Sequence, residues 1–217
     1  CLVTLNDKGV PQYNVLTDVA YDNVTVDEAM LSAMKAAKPE VFYFNTLAQR
    51  CEVSEKAIRS ILDSMEFDCV FCDVNIRPGC WNRDSLNLCM ERADIVKISD
   101  EEVEFLFGLD AENGARHILE NFDVKLVFVT CGAKGCFFKN ALAEGFVPSL
   151  SDIQVIDTTG AGDAFCAGAS IGLTYGKTFP ESIEIGSHLA ASVITSSENV
   201  CPRFMPKELG LDIEVYD

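Results

Sequence analysis

Residues 157–163 read Asp-Thr-Thr-Gly-Ala-Gly-Asp, and this segment carries the densest chemistry in the chain. Gln154, Val155 and Ile156 predict a strand before it, and the Ala-, Gly- and Ser-rich run over 164–173 predicts a tightly packed helix after it. Gly160, Ala161 and Gly162 then open a helix, where unbonded N–H groups and the helix dipole favour an anion. Glycine at 160 and 162 lets the backbone approach that anion without a Cβ clash. Asp163 falls in the first helical turn. Its carboxylate has two readings: an acid that stabilises the helix dipole, or a base that takes the proton of a hydroxyl attacking a phosphate. Phosphoryl transfer asks mainly for positioning and charge neutralisation, so a base beside a nest of N–H groups is a minimal centre for it. A bare G-x-G is a weak signal; the full order of strand, DTTGAGD and helix is a strong one.

Three more segments close predicted buried strands. Thr130-Cys131-Gly132-Ala133-Lys134-Gly135 is a glycine-punctuated turn, either a plain β-turn or a ligand loop at a strand end. Asp73, Asn75 and Arg77 alternate after an apolar strand, which points all three toward the ligand edge; an Asp73–Arg77 surface pair is the alternative. In Lys97-Ile98-Ser99-Asp100-Glu101-Glu102, Ser99 fits a helix N-cap with Glu102 as its capping-box partner.

The elements that must position these groups alternate. Residues 1–24 read as strands: 1–5, a turn at 6–9, then a strand pattern over 12–21. From residue 25 helices and strands follow each other. Helices are predicted over 26–37 (Val26, Ala29, Met30 and Ala33 on one face), 53–65 (Ser54 as N-cap), 85–92, 101–107, 111–122, 162–175 and 181–196. Strands are predicted over 41–44, 69–74, 94–98 and 126–130, with a β-region over 135–156. The fold class expected is α/β, a mostly parallel sheet flanked by helices on both faces. Residues 1–24 then form a small β flap and 25–217 the α/β domain. In such sheets ligands bind outside the carboxyl ends of the strands, where the motifs fall.

The chain has 217 residues, 48% of them hydrophobic, enough for one well-buried core. Its formal net charge of −17 argues against a nucleic-acid or anionic-membrane surface. No apolar run reaches the roughly 20 residues of a membrane span, and no signal peptide is evident. Most of the ten cysteines sit in apolar runs, as small buried hydrophobes. Cys69 and Cys72 are three apart in a strand and face opposite ways, so they cannot share one metal. Reduced thiols fit a cytoplasmic location. The opening at Cys1, inside an apolar run, reads as the middle of a longer protein.

DTTGAGD, the T-x-G-x-x-G at Thr130 and the K-x-S-x-x-E at Lys97 together resemble the ribokinase-like (PfkB) family of carbohydrate kinases, and the resemblance runs through essentially the whole chain. It implies Asp163 as catalytic base and Gly160, Ala161 and Gly162 as anion hole. It implies contacts to ATP from Thr130, Gly132, Ala133, Gly135, Lys97 and Ser99, with Ser99 in place of the family's asparagine. Glu102 matches the glutamate that organises magnesium-bound water. Asp157 and Thr159 match residues that in many members help bind a monovalent cation such as potassium; strand-end capping is the equal alternative. Residues 73–78, D-V-N-I-R-P, resemble the D-x-N-x-R-P of fructokinases and ketodeoxygluconate kinases, which places Asn75 near the phosphates and Arg77 near the sugar. His188 resembles the adenine-side helix; a structural or solvated His is the alternative. Asn199 stands where a loop glycine is expected, and Asn45 where glycine is expected in Phe44-Asn45-Thr46-Leu47-Ala48-Gln49-Arg50.

That last segment and the opening strands resemble fructokinases, the latter their substrate-covering lid. The expectation is an ATP- and magnesium-dependent sugar kinase, with fructose as the first-choice acceptor. 2-Keto-3-deoxygluconate, another acceptor of the family, and a non-catalytic binding protein on the same fold are the alternatives. The sugar half of the site is expected to lie largely in residues preceding Cys1, which would leave this chain alone inactive. A homodimer is expected when the protein is complete.

Overall fold

In the computed structural model, residues 2–5, 11–196 and 210 are described. The turn at 6–9 and the loop with Asn199 lie outside them. The chain divides into two compact units at Asp94/Ile95.

In the first unit, β1 (Leu2–Leu5) and β2 (Pro11–Asn14) pair antiparallel, with Val3 opposite Tyr13. The strand pattern expected to continue to residue 21 stops at Asn14. Asp18 turns to a positive φ of 57°, and the Asp22 carboxylate accepts from the Val19 N–H at 3.1 Å, so Ala20–Asp22 closes into a 3-10 turn instead. Helix α1 (Glu28–Ala37) starts at Asp27, whose side chain accepts from the Met30 N–H at 2.7 Å, and ends at left-handed Lys38. None of its residues is buried. Leu31 and Met34 are half-buried and Met30 is exposed, so the face expected from periodicity is not a core face.

Strands β3 (Val41–Asn45) and β4 (Cys69–Asp73) are parallel, Val41 opposite Cys69 and Asn45 opposite Asp73. A parallel pair needs a crossover, and α2 (Glu52–Ser64) supplies it, burying Ala57, Ile58 and Leu62. Ser54 is not its N-cap: the helix begins two residues earlier, after Cys51, and Ser54 is buried in the first turn. Helix α3 (Arg83–Arg92) is capped by Asn82 and buries Leu88, Cys89 and Met90.

In the second unit, β5 (Ile95–Ser99) and β6 (Leu126–Thr130) are parallel, with α4 (Asp100–Phe107) and α5 (Ala111–Asn121) between them. β7 (Gly135–Asn140) and β8 (Glu144–Pro148) extend the sheet antiparallel from β6. The chain then forms α6 (Ala161–Thr174) and α7 (Phe179–Ile194). Near-continuous apolar runs such as Leu-Val-Phe-Val in β6 fit strands covered on both faces. Phe128 and Phe138 are register partners. Phe128 meets Phe165 of α6 edge-on at 6.2 Å, and Phe138 meets Phe179 of α7 at 5.7 Å. Helices α6 and α7 touch through small residues: a Cβ on Gly168 would lie 2.7 Å from the Gly186 Cα.

The strand expected over Gln154, Val155 and Ile156 does not form. β-prone residues make a strand only with a ladder partner. The segment's Ile156 and Asp157 N–H groups donate to a single carbonyl, that of Ile194, at 2.8 and 3.3 Å. Val155 and Ile156 are 52% and 60% exposed. Each unit thus has a parallel strand pair with helical crossovers, β3–β4 in the first and β5–β6, extended by antiparallel β7 and β8, in the second, which is the α/β class expected. No described helix is long and apolar enough to cross a membrane.

Candidate active site

Helix α6 begins at Ala161, and Gly160 before it is left-handed at φ 84°, a conformation glycine adopts without strain. The Ala161 N–H donates to the Thr158 carbonyl at 3.2 Å and the Ala164 N–H to Gly160 at 2.9 Å. No helical residue lies four before Gly162, so its N–H belongs to the open first turn of α6. Asp163 is the third residue of the helix, with an exposed side chain. Upstream, Asp157 Oδ1 accepts from the Thr159 N–H at 2.9 Å and from its hydroxyl at 2.8 Å. That is the capping geometry weighed from sequence as one reading of this pair. Phe165, two residues past Asp163, packs on Phe128 and seats the first turns of α6 on β6.

Two further motifs of this unit lie side by side. Ser99 and Thr130 are register partners at the carboxyl ends of β5 and β6. After Thr130, Gly132–Lys134 form a 3-10 turn closed by Lys134 N–H on Cys131 O at 3.1 Å and Cys131 N–H on Gly135 O at 2.8 Å. Gly132 and Ala133 are exposed and Thr130 half-buried. Gly135 admits no other residue: its φ is 132°, and a Cβ would fall 2.1 Å from the Val147 carbonyl oxygen. Lys134 Nζ stands 3.9 Å from Asp100 Oδ2, joining this loop to α4. After β5 the expected capping box is present: Glu102 N–H donates to Ser99 Oγ at 3.1 Å, and Ser99 N–H to Glu102 Oε2 at 2.8 Å.

Lys97 is buried within β5. Burial pushes the Cys136 thiol far up, with Cys131 adding to the shift and Lys97 opposing it. Burial likewise raises Cys131, with Asp100 adding. Both stay protonated at neutral pH and behave as core thiols, not nucleophiles. His188 is exposed on α7.

In the first unit, the alternation expected over Asp73, Asn75 and Arg77 ends with the strand. Asn75 turns to a φ of 43°, and Thr46 Oγ1 holds the bend by donating to the Val74 carbonyl at 2.5 Å and the Asn75 carbonyl at 3.2 Å. Asp73 is 1% exposed, which removes the surface-pair reading. Arg77 is exposed, its Nη1 on the Ile76 carbonyl at 3.0 Å. Asn45, where glycine was expected, caps the following turn by accepting from the Ala48 N–H at 2.8 Å.

A further cluster went unread from sequence. Arg50 donates through Nε and Nη2 to both Asp22 oxygens at 2.6 and 2.7 Å, and its guanidinium lies 4.8 Å from the Tyr21 ring centre. The Arg50 hydrogen bond holds the Asp22 carboxyl far below its usual range, and Asp22 in turn raises Arg50. Ser54 Oγ donates to the Tyr21 carbonyl at 2.7 Å and accepts from the Val24 N–H at 2.9 Å. Arg50 stands in a quoted motif, but Asp22 lies 28 positions away with no local pattern to mark it.

Comparison with known proteins adds to this geometry. The sequence model of the pfkB family carbohydrate kinases matches residues 1–202. Fructokinase-1 of Zea mays is 33% identical over 172 residues, 75% of this chain and 52% of that protein. The ATP-dependent 6-phosphofructokinase of Thermoanaerobacterium thermosaccharolyticum is 30% identical over 160 residues, 70% of this chain and 49% of that protein. The chain thus spans about half the length of these curated relatives. The crystal structure of a Vibrio cholerae O395 fructokinase bound to fructose, ADP and calcium ion superposes with a TM-score of 0.65 at 27% identity, covering 74% of this chain and 56% of that one.

Proposed function

The chain belongs to the pfkB family of carbohydrate kinases, and we propose that the whole protein transfers the γ-phosphate of ATP to a sugar hydroxyl. The observation that carries this is the position of Asp163, on the first turn of α6 directly behind left-handed Gly160. The carboxylate there accepts the hydroxyl proton while the helix start at Gly160, Ala161 and Gly162 receives the charge that develops on the phosphate, the Ala161 N–H exchanging its bond to the Thr158 carbonyl for one to phosphate. In this reading Thr130, Gly132, Ala133, Gly135, Lys97, Ser99 and His188 bind the nucleotide. Asn75 contacts phosphate, Arg77 the sugar, and the β1–β2 pair covers the sugar as a lid.

Magnesium fits the residues present. Glu102 spends one oxygen on the Ser99 N–H, and a carboxylate has acceptor capacity beyond one bond. Oxygen donors suit a hard cation, so Glu102 would hold magnesium through its water, and the metal would neutralise phosphate charge. Asp157 and Thr159 offer oxygens of the same kind to a potassium ion, alongside their capping bond. The ADP and calcium ion of the Vibrio cholerae fructokinase, and the potassium ion of its double mutant, support a nucleotide–metal site of this type.

Fructose is the first-choice acceptor, supported by the fructokinase relatives. The phosphofructokinase relative keeps a phosphorylated fructose in contention, and 2-keto-3-deoxygluconate and other family acceptors stand behind it. The eight described cysteines are free thiols, which supports a cytoplasmic location, and the homodimer expected from the resemblance is part of the same proposal.

The test is a coupled ADP-release assay on the whole protein with fructose, fructose 6-phosphate, 2-keto-3-deoxygluconate, ribose and adenosine, with and without potassium. Turnover with one acceptor, lost in Asp163→Ala, is the expected result. Wild-type turnover in Asp163→Ala would sink the assignment of the base. ATP binding without any turnover would favour a non-catalytic binding protein, the reading to which Ser99 and Asn45 point.

A further inference from the structure

Arg50 follows the 3-10 turn Leu47–Gln49 after β3, and its side chain reaches two separate stretches of chain, the arm holding Leu16 and Asp22 and the turn at Cys80. The fork of Nε and Nη2 holds Asp22, and Nη2 also donates to the Leu16 carbonyl. Nη1 donates to the Cys80 sulfur at 3.4 Å. Leu16 lies two residues beyond β2, so the fork grips the arm of the β1–β2 pair at its root. Cys80 closes a turn by donating its N–H to the Arg77 carbonyl at 2.9 Å, and that turn carries the arginine assigned above to the sugar. The Arg50 and Asp22 side chains are 6% and 2% exposed, so salt screens the pair little. Apolar residues of similar volume often stabilise as well as a buried ion pair, but a planar bidentate fork also fixes direction. Ser54 holds the same arm from α2 through Tyr21 and Val24, without a bond to the Arg77–Cys80 turn.

We propose that Arg50 is a positioning residue: its guanidinium holds the root of the lid and the Arg77–Cys80 turn in one geometry, so that both meet the sugar together. This rests on the kinase reading given above. Arg50→Lys keeps the charge and loses the fork. Made in the whole protein, it should raise the sugar KM about tenfold or more while the ATP KM stays within about twofold. Amide hydrogen exchange of the same variant should quicken in residues 16–24 and 77–80 together, whereas Ser54→Ala quickens only 16–24. Equal shifts in the sugar and ATP KM, or quickening confined to 16–24 in Arg50→Lys, would overturn the proposal. Should Arg50→Lys not fold, Cys80→Ala removes only the turn-side acceptor. A rise of about threefold in its sugar KM supports the coupling, and an unchanged one overturns it. If the wild-type protein phosphorylates no sugar, the kinase reading fails by itself, and the exchange comparison still decides whether Arg50 couples the two segments.

Discussion

In residues 95–217, Phe165 lies edge-on to Phe128, and Gly168 brings α6 onto Gly186 of α7. In residues 11–54 the corresponding fastenings are a guanidinium on a carboxylate and a serine hydroxyl on two backbone groups. The first set is contact between apolar surfaces, without charge and without direction. The second is directional and titrates. The packing of α6 on β6 and on α7 is thus indifferent to pH, and the fastening of the arm at 16–24 is not.

The largest expected effect falls on chemistry alone. Asp163→Ala should lower turnover by roughly 10²–10⁴-fold with little change in Tm, because the side chain is exposed and packs no core. Coupled ADP release and thermal melts on the same samples check the two halves of that statement.

Next comes the apolar scaffold. Gly168→Ala forces a Cβ to 2.7 Å from the Gly186 Cα, and the helices must part. A loss of about 1–3 kcal/mol by denaturant unfolding is expected, with no new dependence on pH. Equal loss at all pH values would support the contrast drawn above; a loss that appears only in acid would break it.

The polar region should behave the opposite way. Asp22 titrates below its ordinary value of 3.8, so the folded state favours its charged form. That contribution is fully present above about pH 4 and drains away as pH falls toward the lowered value. Protection of residues 16–24 from hydrogen exchange should therefore fall between about pH 4 and pH 3, and Asp22→Asn should flatten the dependence. Ser99→Ala, which removes the α4 cap, should cost about 1 kcal/mol by denaturant unfolding. The smallest effect is expected on α1: Met30→Lys should change stability by less than about 0.5 kcal/mol, since Met30 is 53% exposed.

Much of this was legible in the residues. The buried strand over 126–130, the glycine-opened helix after it and the Ser99–Glu102 box are local patterns, set by neighbours within a few positions. What escaped depends on partners far away. The segment Gln154-Val155-Ile156 has no ladder partner among the described residues, and no run of side chains announces that. Asn75 bends because Thr46, from another strand end, holds the carbonyls beside it. Ser54 looks like a helix cap by type, yet its hydroxyl is spent on Tyr21 and Val24. The Asp22–Arg50 pair spans 28 positions, and a charge among many exposed charges carries no mark of burial.

The contact between Arg50 and Cys80 has an optical consequence. The residue after Cys80 is Trp81, and the chain contains a single tryptophan. Indole fluorescence from this chain therefore originates beside that one turn. A change in emission on adding a sugar would report the corner where Arg50 joins arm and turn, with no label attached.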